Sequence, residues 1–213
     1  MAVRVFWQLR GMESVCGLVR SKLFWHGRFV RFHVDLSHWQ PRGPMAGSGV
    51  EAREGTLDEL RKFRRTTPGL PKEFFTDRTH GVRRFYLGLA DGRIGHISWV
   101  FTSANRPLQI RLAPDEIMLD GAYTLPASRG RGLLSAVERV ILDDAKKEGK
   151  RHAYTHVSVD NAASLNGVLK TGFRPIGILG WRWLLGVPIL HFDDSSASLA
   201  EAERLLVPRT AAQ

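Results

Sequence analysis

Arg129-Gly-Arg-Gly132 is the stretch of this chain whose residue types and spacing invite chemistry. An apolar run rich in strand formers stops at Pro126, turns through Ser128-Arg-Gly-Arg-Gly132, and continues as an amphipathic segment with Leu133, Leu134, Val137, Val140 and Ile141 on one face. The first N–H groups of a helix have no partner inside it and carry partial positive charge. Gly130 and Gly132 leave the backbone open to close approach, and Arg129 and Arg131 add charge at the same place. A pyrophosphate suits such a junction. A plain solvated turn ahead of a surface helix has the same look.

Other chemistries find less support. The dinucleotide fingerprint needs a third glycine and an acidic strand end about twenty residues on, a P-loop needs Gly-Lys-Ser/Thr, and a serine hydrolase needs GxSxG; none is present. His152 and His156 share a strand face but stand about 13 Å apart, too far to hold one metal, so no metal site is expected. Cys16 is the single cysteine, suited to filling apolar space rather than to a disulfide or a nucleophile.

Arg129-Gly-Arg-Gly132-Leu-Leu134 resembles the acetyl-CoA-binding core motif of the GNAT superfamily of N-acetyltransferases, Gln/Arg-x-x-Gly-x-Gly/Ala after the fourth strand, with Leu134 where the family has a small residue. Val157-Ser-Val-Asp-Asn161 through Gly172-Phe173 is similar to the superfamily's fifth strand, short helix and entry to the sixth strand, in the family's order and spacing. The likeness covers roughly residues 50–187.

The resemblance implies acetyl-CoA as co-substrate and direct attack by an amine, without a covalent enzyme intermediate. It carries Arg129, Gly130, Arg131, Gly132, Leu133 and Leu134 onto the pyrophosphate loop, Asn161 onto a side chain near the pantetheine arm, and the backbone of Tyr123, Thr124 and Leu125 beside that arm. In the family the fourth and fifth strands splay near a bulge, and Gly121 in mid-strand is compatible with one, or with simple close packing. Glu116, Met118, Asp120 and Ala122 share a strand face. Asp120 is the first choice of general base and Glu116 the second, with ordered water as the alternative. The usual acid, a tyrosine four residues before the Gly-Phe glycine, is Val168 here, which leaves Tyr123, Tyr154 or Ser158 as substitutes.

The elements that must position these residues follow in order. Val50–Glu54 reads as a strand; Thr56 and Glu59 form a capping box for a helix to Arg65; Lys72–His80 reads as a second short helix. Arg84–Ala90 and Ile94–Phe101 read as a hairpin around Asp91-Gly92. After a proline-bounded loop at Ser103–Pro114 come the strand and helix already described, a strand at His152–Val159, and strands at Phe173–Leu185 and Val187–Phe192. The expected fold is α/β, a GNAT-type mixed, twisted sheet of about six to seven strands with helices on both faces.

The chain of 213 residues carries a net charge of +10, and its first 43 residues hold seven basic against two acidic side chains, half of that excess. Residues 1–49 are expected to be a basic, aromatic-rich extension and linker, 50–192 the acyltransferase domain, and 193–213 a loosely docked polar tail with a helical piece at 198–206. Residues 15–36 read as a short helix and a strand. They suit an anionic membrane surface or nucleic acid, or else dock their aromatics on the domain with basic stems outward. No secretory signal or membrane span is seen, which suggests a cytoplasmic protein. The acceptor is expected to be an amino sugar or other small amine, or a protein amine. The rival expectation is a catalytically degenerate protein of this fold that binds nucleic acid or membrane through its basic surface.

Overall fold

The computed structural model describes residues 26–40, 49–105, 111–184 and 187–206. The strands are β1 (His26–Asp35), β2 (Val50–Glu54), β3 (Phe85–Ala90), β4 (Arg93–Phe101), β5 (Glu116–Thr124), β6 (His152–Ser158), β7 (Arg174–Leu184) and β8 (Val187–Asp193). The helices are α1 (Leu57–Thr66), α2 (Thr76–His80, continuing a 3-10 turn at Lys72–Phe75), α3 (Leu133–Lys147), α4 (Ala162–Leu169) and α5 (Ser196–Leu206). One sheet runs β2-β3-β4-β5-β6-β1-β7-β8, antiparallel throughout except between β5 and β6.

Two apolar clusters lie on the two faces of this sheet. The front cluster joins Leu60 of α1 and Phe74 to Phe85, Leu87, Ile97, Trp99 and Met118. The back cluster joins Val137, Ile141 and Leu142 of α3, Leu165 of α4 and Ala202 of α5 to Val30, Phe32, Val34, Ile117, Leu119 and Ala153. The alternation of Ile117 and Leu119 with Met118 along β5 serves both clusters, as the two-residue period of a strand requires.

The expected boundary at residue 49 does not hold. β1 lies inside the sheet, paired with β6 from Phe29↔Ser158 to Asp35↔His152 and with β7 from His26↔Arg182 to His33↔Arg174. Its Val30, Phe32 and Val34 are buried, as are Leu36 and Trp39 beyond it. Trp39 Nε1 donates to Thr171 O at 2.8 Å, and Lys146 Nζ donates to Trp39 O at 2.7 Å. These apolar residues belong to the core and are not offered to a membrane or a nucleic acid. The sheet accordingly has eight strands instead of six or seven. The helix expected before residue 26, Cys16, the linker residues 41–48 and loop residues 106–110 lie outside the described residues.

The expected loose tail is also corrected as far as residue 206. α5 seats Ala202 in the back cluster, and Ser198 Oγ accepts from Ile178 N (3.0 Å) while donating to Asp193 O (2.8 Å). Arg28 of β1 pairs with Glu201 at 2.8 Å. Among the described residues, no helix is long and apolar enough to cross a membrane.

Candidate active site

The site begins with a defect in β5. Ile97 pairs with Tyr123 but Trp99 pairs with Asp120, so β5 carries one residue more than β4 across the same span, a β-bulge. Gly121 sits in it at φ 61°, where an added Cβ would stand 3.1 Å from Trp99 Cδ1 and 3.2 Å from Thr76 Oγ1. Both the backbone angle and the crowding call for glycine. On the other side, β5 and β6 are paired only from Glu116↔His152 to Leu119↔Thr155. Beyond Leu119 the ladder is lost and the strands part.

Two clefts meet at this gap. The larger, about 540 Å³, is walled by Tyr123, Thr124, Arg129, Leu134, Asn161 and Lys170, with Gly130, Gly132 and Leu133 at its floor. Gly132 is the N-cap of α3 and has no side chain to occupy the first N–H groups; the first intrahelical bond is Ala136 N to Gly132 O. The N–H groups of Leu133, Leu134 and Ser135 therefore have no acceptor within the helix. Gly130 and Gly132 both have φ 77°, and an added Cβ on either would meet nothing within 4 Å. The turn needs glycine for its angle, and the space above it is open for a ligand. Arg129 reaches Thr124 O (3.3 Å) and the Tyr123 hydroxyl (3.4 Å), and no carboxylate among the described residues pairs with it. Lys170 stands at the opposite wall. This donor set fits a pyrophosphate.

Leu134 has its room made for it. Its Cδ2 lies 2.7 Å from where a Cβ on Gly167 would be, so α4 approaches α3 at the one residue that yields to a leucine. Asn161 caps α4 through its Oδ1, which accepts from Ser164 N at 3.1 Å. Its amide NH2 end remains for the cleft. Below Thr124, His96 Nδ1 lies 2.7 Å from Thr124 Oγ1, and complete burial pushes this imidazole down to about 3, keeping it neutral.

The smaller cleft, about 170 Å³, shares Ala122, Leu134, Asn161 and Ser164 with the larger. It takes Thr155 and Val157 from one face of β6 and His156 and Ser158 from the other, so it passes through the gap in the sheet. Three carboxylates reach it: Glu73, Asp120 and Glu138. Burial raises the Asp120 carboxyl above the usual range, partly offset by the Gly121 N–H at 2.7 Å. Glu138 is 2% exposed, accepts from Thr171 Oγ1 at 2.9 Å, and is pushed up to about 8 by burial. Burial pushes His156 down to about 4. Among the described residues, no group of three or more potential ligands stands where it would hold a metal.

Asp120 thus reaches the reaction gap, whereas Glu116 does not. Glu116 lies at the far end of β5, accepting from Tyr154 Oη (3.1 Å) and Ala113 N (2.8 Å). The bulge interrupts the strict alternation that grouped Ala122 with these acids. Tyr123 lines the larger cleft but not the smaller, with its ring against Phe74 and under Arg129, which makes it a wall rather than a proton donor. Arg131 turns away to Asp91, with contacts of 2.6 and 3.0 Å. The Leu125 N–H is spent on Gly95 O at 2.8 Å. Glu138, Glu73, Lys170 and the Leu134–Gly167 contact were missed by sequence reasoning. Glu138 falls four residues after Leu134 and three before Ile141, on the inward face of α3, and that spacing was the available signal.

A strand, glycine turn and helix facing a bulged, splayed strand pair form the arrangement that the motifs implied. The model of the Acetyltransferase (GNAT) family matches residues 54–173, more than half of the chain. The chain belongs to the GNAT acetyltransferases. No curated protein matches this GNAT chain. Solved structures share its fold at low identity. A GCN5-related glucosamine N-acetyltransferase region of a fungal multi-domain β-N-acetylglucosaminidase aligns at TM-score 0.56 and 13% identity, covering 84% of this chain and 23% of that one. A Drosophila protein aligns at 0.54 and 11%, covering 83% and 58%. A GCN5-related N-acetyltransferase from Sphaerobacter thermophilus aligns at 0.51 and 14%, covering 85% and 56%. The GNAT chain spans less than two thirds of the length of the solved structures it matches first.

Proposed function

We propose that this GNAT domain moves an acetyl group from acetyl-CoA to the primary amine of a small molecule, an amino sugar or a comparable amine, by direct attack. The observation that carries this reading is the meeting of two clefts at the β5–β6 gap, one built for an anion at a helix N-terminus and one holding carboxylates. Acetyl-CoA, the co-substrate of the family, supplies an acyl group already activated as a thioester.

The free N–H groups at the start of α3, with Arg129 and Lys170 beside them, hold the pyrophosphate. Asn161 and the walls shared by the two clefts orient the arm toward the gap. An amine enters the smaller cleft, where Glu73 and Asp120 attract it as a cation, and Asp120 takes its proton; a carboxyl raised by burial is a stronger base than a free aspartate. Val168 occupies the place of the family's tyrosine, and Glu138, protonated at neutral pH, lines the same cleft and can give a proton back. Leu134, which stands where the family has a small residue, is seated against Gly167.

Calorimetric titration with acetyl-CoA tests the reading. Saturable binding by the wild type and its loss in Arg129→Glu/Gly132→Glu is the expected result, followed by release of free thiol with amines. No binding by the intact protein, and no thiol release with any amine, would sink it.

A further inference from the structure

Arg31 departs from its neighbours. Several arginines of the sheet and its connections pair with carboxylates, Arg28 with Glu201, Arg53 with Glu59, Arg84 with Glu148 and Arg131 with Asp91. No carboxylate among the described residues stands within ion-pair distance of Arg31, and its Nε is buried without an acceptor. Its guanidinium lies 4.9 Å from the centroid of Tyr154 and 4.7 Å from that of Phe192, rings supplied by β6 and β8 on the two sides of β1. Glu116, whose charge reaches it, is already bonded to Tyr154 Oη and Ala113 N.

Two aromatic rings flank this cation. Arg31 is opposite Gly177 of β7, and an added Cβ there would stand 3.1 Å from Phe192 Cε2 and 2.3 Å from Asp193 O. Glycine thus lets the Phe192 ring lean in beside the guanidinium. With rings against it, the group keeps its in-plane N–H edge, the fork that matches two oxygens of a carboxylate or phosphate. Arg31 as a whole is only partly buried, but leaving its buried Nε without an acceptor is costly. Arg31 is also the cross-strand partner of His156, a wall of the smaller cleft, and side chains so paired start about 5 Å apart on the same face.

We propose that Arg31 is the specificity-determining residue of the acceptor site: the amine this protein acetylates carries an oxyanion, phosphate monoester or carboxylate, which binds the in-plane edge of Arg31 while its ammonium end faces Asp120 and Glu73. This rests on the acetyl-transfer reading above and adds the charge pattern of the acceptor to it.

Thiol release by the full chain is measured with matched acceptors: glucosamine against glucosamine 6-phosphate for the phosphate arm, and ethanolamine against phosphoethanolamine and β-alanine to separate phosphate from carboxylate. In parallel, calorimetry with CoA present measures binding of glucosamine 6-phosphate and phosphoethanolamine. The expected result is a kcat/KM ratio, anionic over neutral, of tenfold or more in one arm, falling toward one in Arg31→Met and to an intermediate value in Arg31→Lys, which keeps the charge without the fork. Loss of anion binding should accompany the fall. Thiol release on neutral amines with no anionic preference overturns this inference and leaves acetyl transfer standing. A preference that both Arg31 variants retain also overturns it. Failure of every amine together with no heat from acetyl-CoA removes the acetyl-transfer reading, and this inference with it.

Discussion

Glu138 is 2% exposed, and its environment sets a pH signature on the whole fold. Its folded value is raised to about 8, so between roughly 4.5 and 8 the folded state binds a proton that the unfolded state has released. Stability therefore falls as pH rises through that window. His96 and His156 act in the opposite sense: their folded values are lowered to about 3 and about 4, so the unfolded chain takes up protons first and stability falls as pH drops below about 6.5. Glu138→Gln is expected to raise stability near pH 8, by an amount on the order of 2 kcal/mol, and to flatten the alkaline limb of a melting-temperature profile while leaving the acid limb in place. An alkaline limb identical to that of the wild type would show that Glu138 ionises freely in the folded state. The spacing along α3 marks Glu138 as inward-facing, but how far its seat excludes water depends on what α3 packs against.

At the scale of elements, α3 and α4 are fitted to each other through Leu134 and Gly167. Gly167→Ala places a methyl group 2.7 Å from Leu134 Cδ2, so either the leucine turns into the larger cleft or α4 moves away. Acetyl-CoA affinity in the alanine variant should fall about tenfold, and Leu134→Ala in the same chain should restore most of it; two losses that simply add would argue against the contact. The strand, glycine turn and helix were legible because short-range signals decide them: Pro126, the paired glycines, and the apolar period of α3. The β3–β4 hairpin was legible for the same reason, with Asp91 and Gly92 at φ 51° and 74° in a two-residue turn. Within the candidate site, the glycine turn that lines the larger cleft was legible in this way. Gly167 was not, since a glycine answering a leucine on another helix leaves no local mark, and the seat of Arg31 joins β6, β1 and β8 across more than a hundred residues of sequence.

At the scale of the molecule, the sequence marked a strand within residues 15–36 but not its place inside the sheet. A basic, aromatic run followed by glycines and prolines has the composition of an appendage, whereas its Val30, Phe32 and Val34 are central to the back cluster. Strand partners that lie far along the chain cannot be read from composition. A shortened chain beginning at Gly49 should lose cooperative unfolding in a thermal melt, because it removes these side chains and leaves the facing edges of β6 and β7 without their ladder. A sharp transition near that of the full chain would show that the sheet closes without β1.

The position of β1 also sets a waiting time during synthesis. The ribosome finishes β1 roughly 150 residues before its second neighbour in the sheet, β7, which at ordinary elongation rates is about 10–30 s. Until β6 is made both edges of this strand lack a partner, and until β7 is made one still does. Closure of the sheet around β1 therefore waits for elements that come late in the order of the chain.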